Sequence, residues 1–197
     1  MKAVLISIQP KWCEKIFNGE KTIEVRKSRP KIDTPFKCYI YQTKKNAGLK
    51  HFDQDSNKLN DFLILRKCGK VIGEFICDKV DAYTFSNYEA QYRINDVDLM
   101  KTCLNFPELI AYGKGKDLYG WHISDLKIYD KPRELGEFRK LCVDEYQYCQ
   151  GCRYGNIVLP PDEEEYALYH GGSYENFDVV CQNRLTRPPQ SWCYIEV

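Results

Sequence analysis

The stretch Gln9-Pro-Lys-Trp-Cys-Glu-Lys-Ile-Phe-Asn-Gly-Glu-Lys-Thr-Ile-Glu-Val-Arg26 decides the fold, because it packs a helix, a turn and a polar strand into eighteen residues. Pro10 suits the first turn of a helix, where its missing N–H costs nothing. Trp12 and Ile16, like Cys13 and Phe17, stand four apart, so an apolar stripe faces inward while Lys11 and Lys15 face water. Gly19 ends the helix. Beyond it, alternation in Lys21-Thr-Ile-Glu-Val-Arg26 puts Ile23 and Val25 on one face and Thr22, Glu24 and Arg26 on the other.

Working outward, Met1 to Ile8 reads as a strand, followed by a helix over 10–18 and strands over 21–26 and 36–43. The polar stretch from Lys44 to Asn60 reads as a loop. Lys70 to Cys77 is a strand, 96–104 and 107–112 are short helices, and Leu118 to Tyr129 is a strand with a break near Ser124-Asp125. Ser191 to Val197 closes the chain as a last strand. Many short strands and few helices predict a mainly β, α+β protein.

The pattern I-x-P-x-W…I…G-x-K-T-x-E-x-R, carried by Ile8, Pro10, Trp12, Ile16, Gly19, Lys21, Thr22, Glu24 and Arg26, resembles the signature of the ASCH domain family, relatives of the PUA fold. The resemblance continues through Val71 to Ile76 and Tyr119 to Ile123. It implies a PUA-like β-barrel with short helices over residues 1–135, an irregular cysteine-containing extension over 136–190, and a terminal strand, 191–197, returning to the barrel.

Composition narrows the function. A formal net charge of +1 over 197 residues argues against a strong electrostatic grip on nucleic acid, although Lys and Arg crowd residues 11–50 while Asp162-Glu-Glu-Glu165 makes the later part acidic. The first strand is too short for a secretory h-region and no apolar run reaches a membrane span, so the expected location is cytoplasmic. Cys13, Cys38, Cys77 and Cys103 fall in apolar patterns and read as reduced core thiols.

Three constellations could carry chemistry. The first is Lys21, Thr22, Glu24, Arg26 and Glu74. Glu74 is expected to share a strand face with Ile72 and Ile76, so its carboxylate demands a partner; a lysine beside it could make a base or hold a water for attack on a carbonyl, or the pair could be a structural ion pair. Similarity to ASCH amidohydrolases implies removal of the acetyl group from N4-acetylcytidine, with Lys21 and Glu74 matching the catalytic lysine and glutamate. The family threonine falls three residues after the lysine, where this chain has Glu24, so either Thr22 supplies the hydroxyl or a Glu-activated water replaces it. Other ASCH proteins are credited with RNA cleavage or RNA binding alone, so a small ribonuclease and a non-catalytic RNA-binding module are the competing readings. Trp12 and Arg26 complete the expected substrate-binding set.

The second is the knuckle Cys149-Gln-Gly-Cys152 with Cys142 and Cys181, a thiolate spacing that suits a structural zinc ion. Cys142 is favoured as fourth ligand over Cys193 or His170; a redox dithiol and unrelated free thiols are the alternatives. The third is Leu185 to Tyr194, where Pro188-Pro189 stiffens an arm carrying Arg187, Gln190 and Trp192. Arg187 and Gln190 are candidate ligand contacts, while Trp192, Trp121 and His122 read as structural.

Overall fold

The computed structural model describes residues 2–44, 68–140 and 185–196. Strand β1 (Lys2–Ile8) leads into helix α1 (Pro10–Phe17), then β2 (Ile23–Arg26), β3 (Phe36–Gln42) and β4 (Val71–Cys77). Strands β5 (Val80–Tyr83), β6 (Phe85–Ser86) and β7 (Gln91–Tyr92) precede helices α2 (Asp96–Thr102) and α3 (Phe106–Gly113). The chain continues through β8 (Leu118–His122), β9 (Ser124–Arg133), one 3-10 turn (Leu135–Glu137), β10 (Arg139–Lys140) and β11 (Trp192–Glu196).

The strands form a six-stranded sheet in the order β10-β11-β1-β3-β4-β9, a three-stranded sheet β2-β8-β5, and the small hairpin β6-β7. Among the described residues these sheets are not closed into a barrel, which corrects the barrel expectation while keeping the mainly β class. The physical reason lies in the bends. β4 runs into β5 and β9 follows β8 almost without a break, so one antiparallel pair spans both sheets; bulges in the β4–β9 ladder and Asp125 at φ 47° turn it. At the far edge no ladder joins β2 to the larger sheet. The connection there is a side chain, with Arg26 Nη2 donating to Ser7 O at 2.7 Å.

β1 lies between β3, to which it is parallel, and β11, to which it is antiparallel. A parallel pair needs a crossover, and α1 with β2 supplies it. The main core fills the space between the sheets with Val4, Ile6, Ile8, Cys13, Ile16, Phe36, Phe75 and Trp121. A second cluster on the other face of the large sheet contains Leu5, Tyr39, Tyr41, Val71 and Phe138, and a third joins Val25, Tyr83, Tyr92, Leu109 and Leu118 beneath the helices.

Both later helices are capped as their sequences specify. Asn95 accepts from Asp98 N, and Asn105 with Glu108 forms a reciprocal capping box. Cys13, Cys38 and Cys77 are buried, and burial raises their thiol pKa values, that of Cys77 to about 12, so they are protonated core groups; Cys103 is only half-buried, at the left-handed end of α2. No helix among the described residues is long and apolar enough to cross a membrane.

Candidate functional site: a buried charge cluster at the edge of the small sheet

Gly19, at φ 75°, reverses the chain after α1, and Lys21 N donates back to Lys15 O. Thr22 then stitches two neighbours to β2: its N–H donates to Lys101 O, and its carbonyl accepts from Ile123 N. This aims the Lys21 side chain inward, where it is 2% exposed. Its ammonium donates to Ile23 O at 2.9 Å and to Thr102 O at 2.7 Å, and lies 3.3 Å from Glu24 Oε2. Thr102 is the last residue of α2, so the cation satisfies a carbonyl that the helix cannot, at the negative end of its dipole.

Glu24, 5% exposed, bridges the two cations, with Arg26 Nη2 at 3.0 Å from Oε1. Arg26 is 9% exposed and carries the link to Ser7 O described above. Three charges are therefore buried together with a net charge of +1, compensated by one carboxylate and three main-chain carbonyls. The ring of Trp12 has the Lys21 ammonium 5.2 Å from its centre. Tyr112 on α3 is the other aromatic neighbour: burial raises its hydroxyl pKa, opposed by Arg26 and reinforced by Glu24. Surface lysines stand over both rings, Lys11 at 4.3 Å from Trp12 and Lys27 at 4.9 Å from Tyr112.

Glu74 is elsewhere. A register shift between Val71 and Gly73 sends Ile72 to the core side with Phe75, so the expected shared face of Ile72 and Glu74 does not form. Glu74 instead accepts from Lys37 Nζ at 3.0 Å and from the Tyr129 hydroxyl. Burial pushes its carboxyl pKa up, but hydrogen bonds from Tyr129 and Lys37 and the charges of Lys37 and Lys127 outweigh this and leave it below 4.5. Among the described residues Lys21 and Glu74 share neither a hydrogen bond nor an ion pair.

The structure thus brings together Lys21, Glu24, Arg26 and Trp12 and leaves Glu74 with other partners. Thr22 sits beside the cluster, half-buried, its backbone bonded on both sides. Arg187 and Gln190 are exposed on the arm, which is held through Pro189 O, accepting from Ser7 Oγ at 2.7 Å, and Ser191 O, accepting from Ser7 N at 2.8 Å. Trp192 donates its indole N–H to Ser28 Oγ at 3.1 Å, and His122 Nε2 pairs with Asp81 Oδ2 at 2.7 Å. Cys142, Cys149, Cys152, Cys181 and His170 lie outside the described residues; among those described, no group of three or more His, Cys, Asp or Glu side chains could hold a metal.

Sequence reasoning missed Tyr112, Ser7, Lys37 and Tyr129. Lys37 carried a signal, a lone lysine in the apolar run Phe36 to Tyr41, as Glu74 did in its own strand. Tyr112 and Ser7 carried none, since their roles come from tertiary approach alone.

No protein-family model matches this chain, and no curated protein matches it. Solved structures do. A serine-to-alanine variant of an ASCH protein from Zymomonas mobilis superposes with a TM-score of 0.52 at 13% identity, over 98% of this chain and 88% of that one. Two further structures from the same organism are an ASCH protein, with a TM-score of 0.49, 14% identity and coverage of 98% and 87%, and its tyrosine-to-phenylalanine variant, with 0.46, 18%, 68% and 77%. The likeness is one of architecture, and the architecture of this chain is ASCH-like.

Proposed function

We propose that this chain binds single-stranded RNA or a modified nucleoside at the face formed by Trp12, Tyr112, Lys11 and Lys27 over the buried Lys21, Glu24 and Arg26. The observation that carries this reading is the pairing of each aromatic ring with a surface lysine. A ring stacks a base regardless of its identity, and an adjacent ammonium meets a phosphate. The net charge of +1 limits the number of such contacts, so binding is weak and falls with salt. The test is a titration with a short single-stranded RNA at several salt concentrations. Affinity that ignores both salt and Lys27→Ala overturns the reading.

Hydrolysis of N4-acylated cytidine is the competing version of the same site, and the hydrogen bonding favours binding over it. Lys21 spends its ammonium protons on Ile23 O, Thr102 O and Glu24, and Glu74 is engaged by Lys37 and Tyr129, so neither is free to activate a nucleophile. Turnover of N4-acetylcytidine by the wild-type protein, abolished by Lys21→Ala and by Glu74→Ala, would reverse this preference. In that event Thr22→Ala distinguishes a hydroxyl nucleophile from a water. Ribonuclease action is weaker still, because Lys21 and Arg26 are buried rather than flanking an open path.

The thiols of Cys142, Cys149, Cys152 and Cys181 are carried forward as a structural zinc site on the strength of the Cys-x2-Cys spacing. Metal analysis of freshly purified, reduced protein is expected to give about one zinc per chain. A zinc-free, folded preparation rules the site out.

A further inference from the structure

Four buried side-chain N or O atoms among the described residues have no hydrogen-bond partner: Glu24 Oε2, Arg26 Nε, Trp121 Nε1 and the Tyr83 hydroxyl. Folded proteins seldom leave such atoms unpaired, so their grouping is informative. Three of the four belong to one corner. Glu24 stands directly opposite Trp121 in the β2–β8 ladder, and Arg26 opposite Tyr119 two positions on, so these side chains leave the same face of the sheet, toward the core between the sheets.

The corner offers one acceptor, Glu24 Oε2, beside two donors, Arg26 Nε–H and the Trp121 indole N–H. A phosphate or carboxylate does not fit that set, because the Glu24 carboxylate would face it. A hydrocarbon does not fit either, since it would leave all three atoms unpaired. What fits is a planar group whose edge carries an N–H next to a carbonyl oxygen or an unprotonated ring nitrogen. The aromatic surroundings select for planarity: Trp192 lies 5.8 Å from Trp121 between ring centres, and Trp12 and Tyr112 flank the charges. Tyr112, 37% exposed, is the least enclosed of these walls, and its displacement opens the corner.

Resting on the binding reading above, we infer that the Glu24, Arg26 and Trp121 corner is the base-reading end of the site. It takes one unstacked nucleobase by an edge bearing adjacent N–H and acceptor groups. Glu24 accepts from the base N–H, and Arg26 and Trp121 donate to its oxygen or ring nitrogen. Surface lysines Lys11 and Lys27 then face the sugar-phosphate side.

The chain's three tryptophans, Trp12, Trp121 and Trp192, all border this region, so its intrinsic fluorescence reports occupancy. The full chain is titrated with cytidine and uridine, and with N4,N4-dimethylcytidine and N3-methyluridine, whose methyl groups remove the N–H. The same four bases are presented in short single-stranded RNAs, so that a free nucleoside and an RNA are told apart as the source. Unmethylated forms are expected to quench saturably and the methylated forms to bind at least about tenfold more weakly, as when a site's buried polar group loses its partner. Glu24→Gln, which keeps all three tryptophans, is expected to weaken the unmethylated ligand and to shrink the methylation effect; Trp121→Phe does so where circular dichroism shows it folded. Binding indifferent to methylation in both nucleosides and RNAs overturns this inference and leaves the stacking face standing. No binding of any of these ligands removes both, the corner then holding a structural water at most.

Discussion

The chain places a glutamate within an otherwise apolar strand twice, and the two outcomes differ in kind. Glu24 on β2 is 5% exposed and lies between two cations that are themselves buried. Glu74 on β4 has a side chain 19% exposed and meets Lys37, whose side chain is 40% exposed, and a tyrosine hydroxyl. Burial sets the energetics. Around Glu24 every charge has been taken from water, so loss of one partner strands the others in a poorly solvating interior. Around Glu74 water shares the compensation, and the same kind of loss is cheaper. The lesson is that an alternating strand pattern announces a paired carboxylate but leaves its depth unstated.

Truncation of Lys21 is the severest way to probe this contrast. Lys21→Ala leaves Glu24 and two carbonyls without their cation and is expected to cost about 3–5 kcal/mol in denaturant unfolding; a loss no larger than at Glu74 erases the distinction. Glu24→Ala belongs to the same class, since it leaves Lys21 and Arg26 buried with like charge.

On the Glu74 side, Tyr129→Phe removes one hydrogen bond to a carboxylate and is expected to cost about 1.5 kcal/mol at neutral pH. Its pH dependence has a definite sign. The Glu74 carboxyl is lowered in the folded protein from 4.5, so its contribution is complete above pH 4.5 and fades as pH falls through the lower folded value. In Tyr129→Phe that acid-limb loss should be shallower than in wild type. Equal slopes would show that Tyr129 does not hold the charged form.

The smallest expected effect lies at the surface. Lys11→Ala and Lys27→Ala should leave unfolding within about 0.5 kcal/mol of wild type. Each should reduce the slope of log affinity for single-stranded RNA against log salt by about one. A stability loss as large as that of Tyr129→Phe would mean that these lysines hold their rings for structure rather than for a ligand.

Much of the fold was legible because its signals are local. The helix at Pro10, its stop at Gly19, the alternation through Arg26, the two short helices and the last strand all depend on residues a few positions apart. The strands at Val80–Tyr83, Phe85–Ser86, Gln91–Tyr92 and Arg139–Lys140 were not read, being two to four residues long with no room for a period to emerge. The site was legible in its members but not in its pairings. Lys21, Glu24 and Arg26 lie on one short segment and find one another, whereas the pairing of Lys21 with Glu74 required two sheets to face each other in a particular register. A bulge beside Gly73, with a Cβ there only 2.6 Å from Lys127 O, rotates the strand and sends Glu74 to Lys37 and Tyr129. No spacing within β4 encodes that bulge.

The central placement of β1 has a temporal consequence. One of its edges pairs with β3, only some thirty residues onward, but the other waits for β11, with Lys2 opposite Glu196 and Ile6 opposite Trp192. During synthesis this apolar strand therefore presents an unpaired edge while nearly the whole chain is made behind it, at a rate of about 5–20 residues per second. For many seconds the nascent protein carries a ready template for wrong partners. Folding of the ASCH-like core is thus gated by the arrival of its last strand, and co-translational yield rather than equilibrium stability is where a slow-translating or weakened C-terminal segment would first be felt.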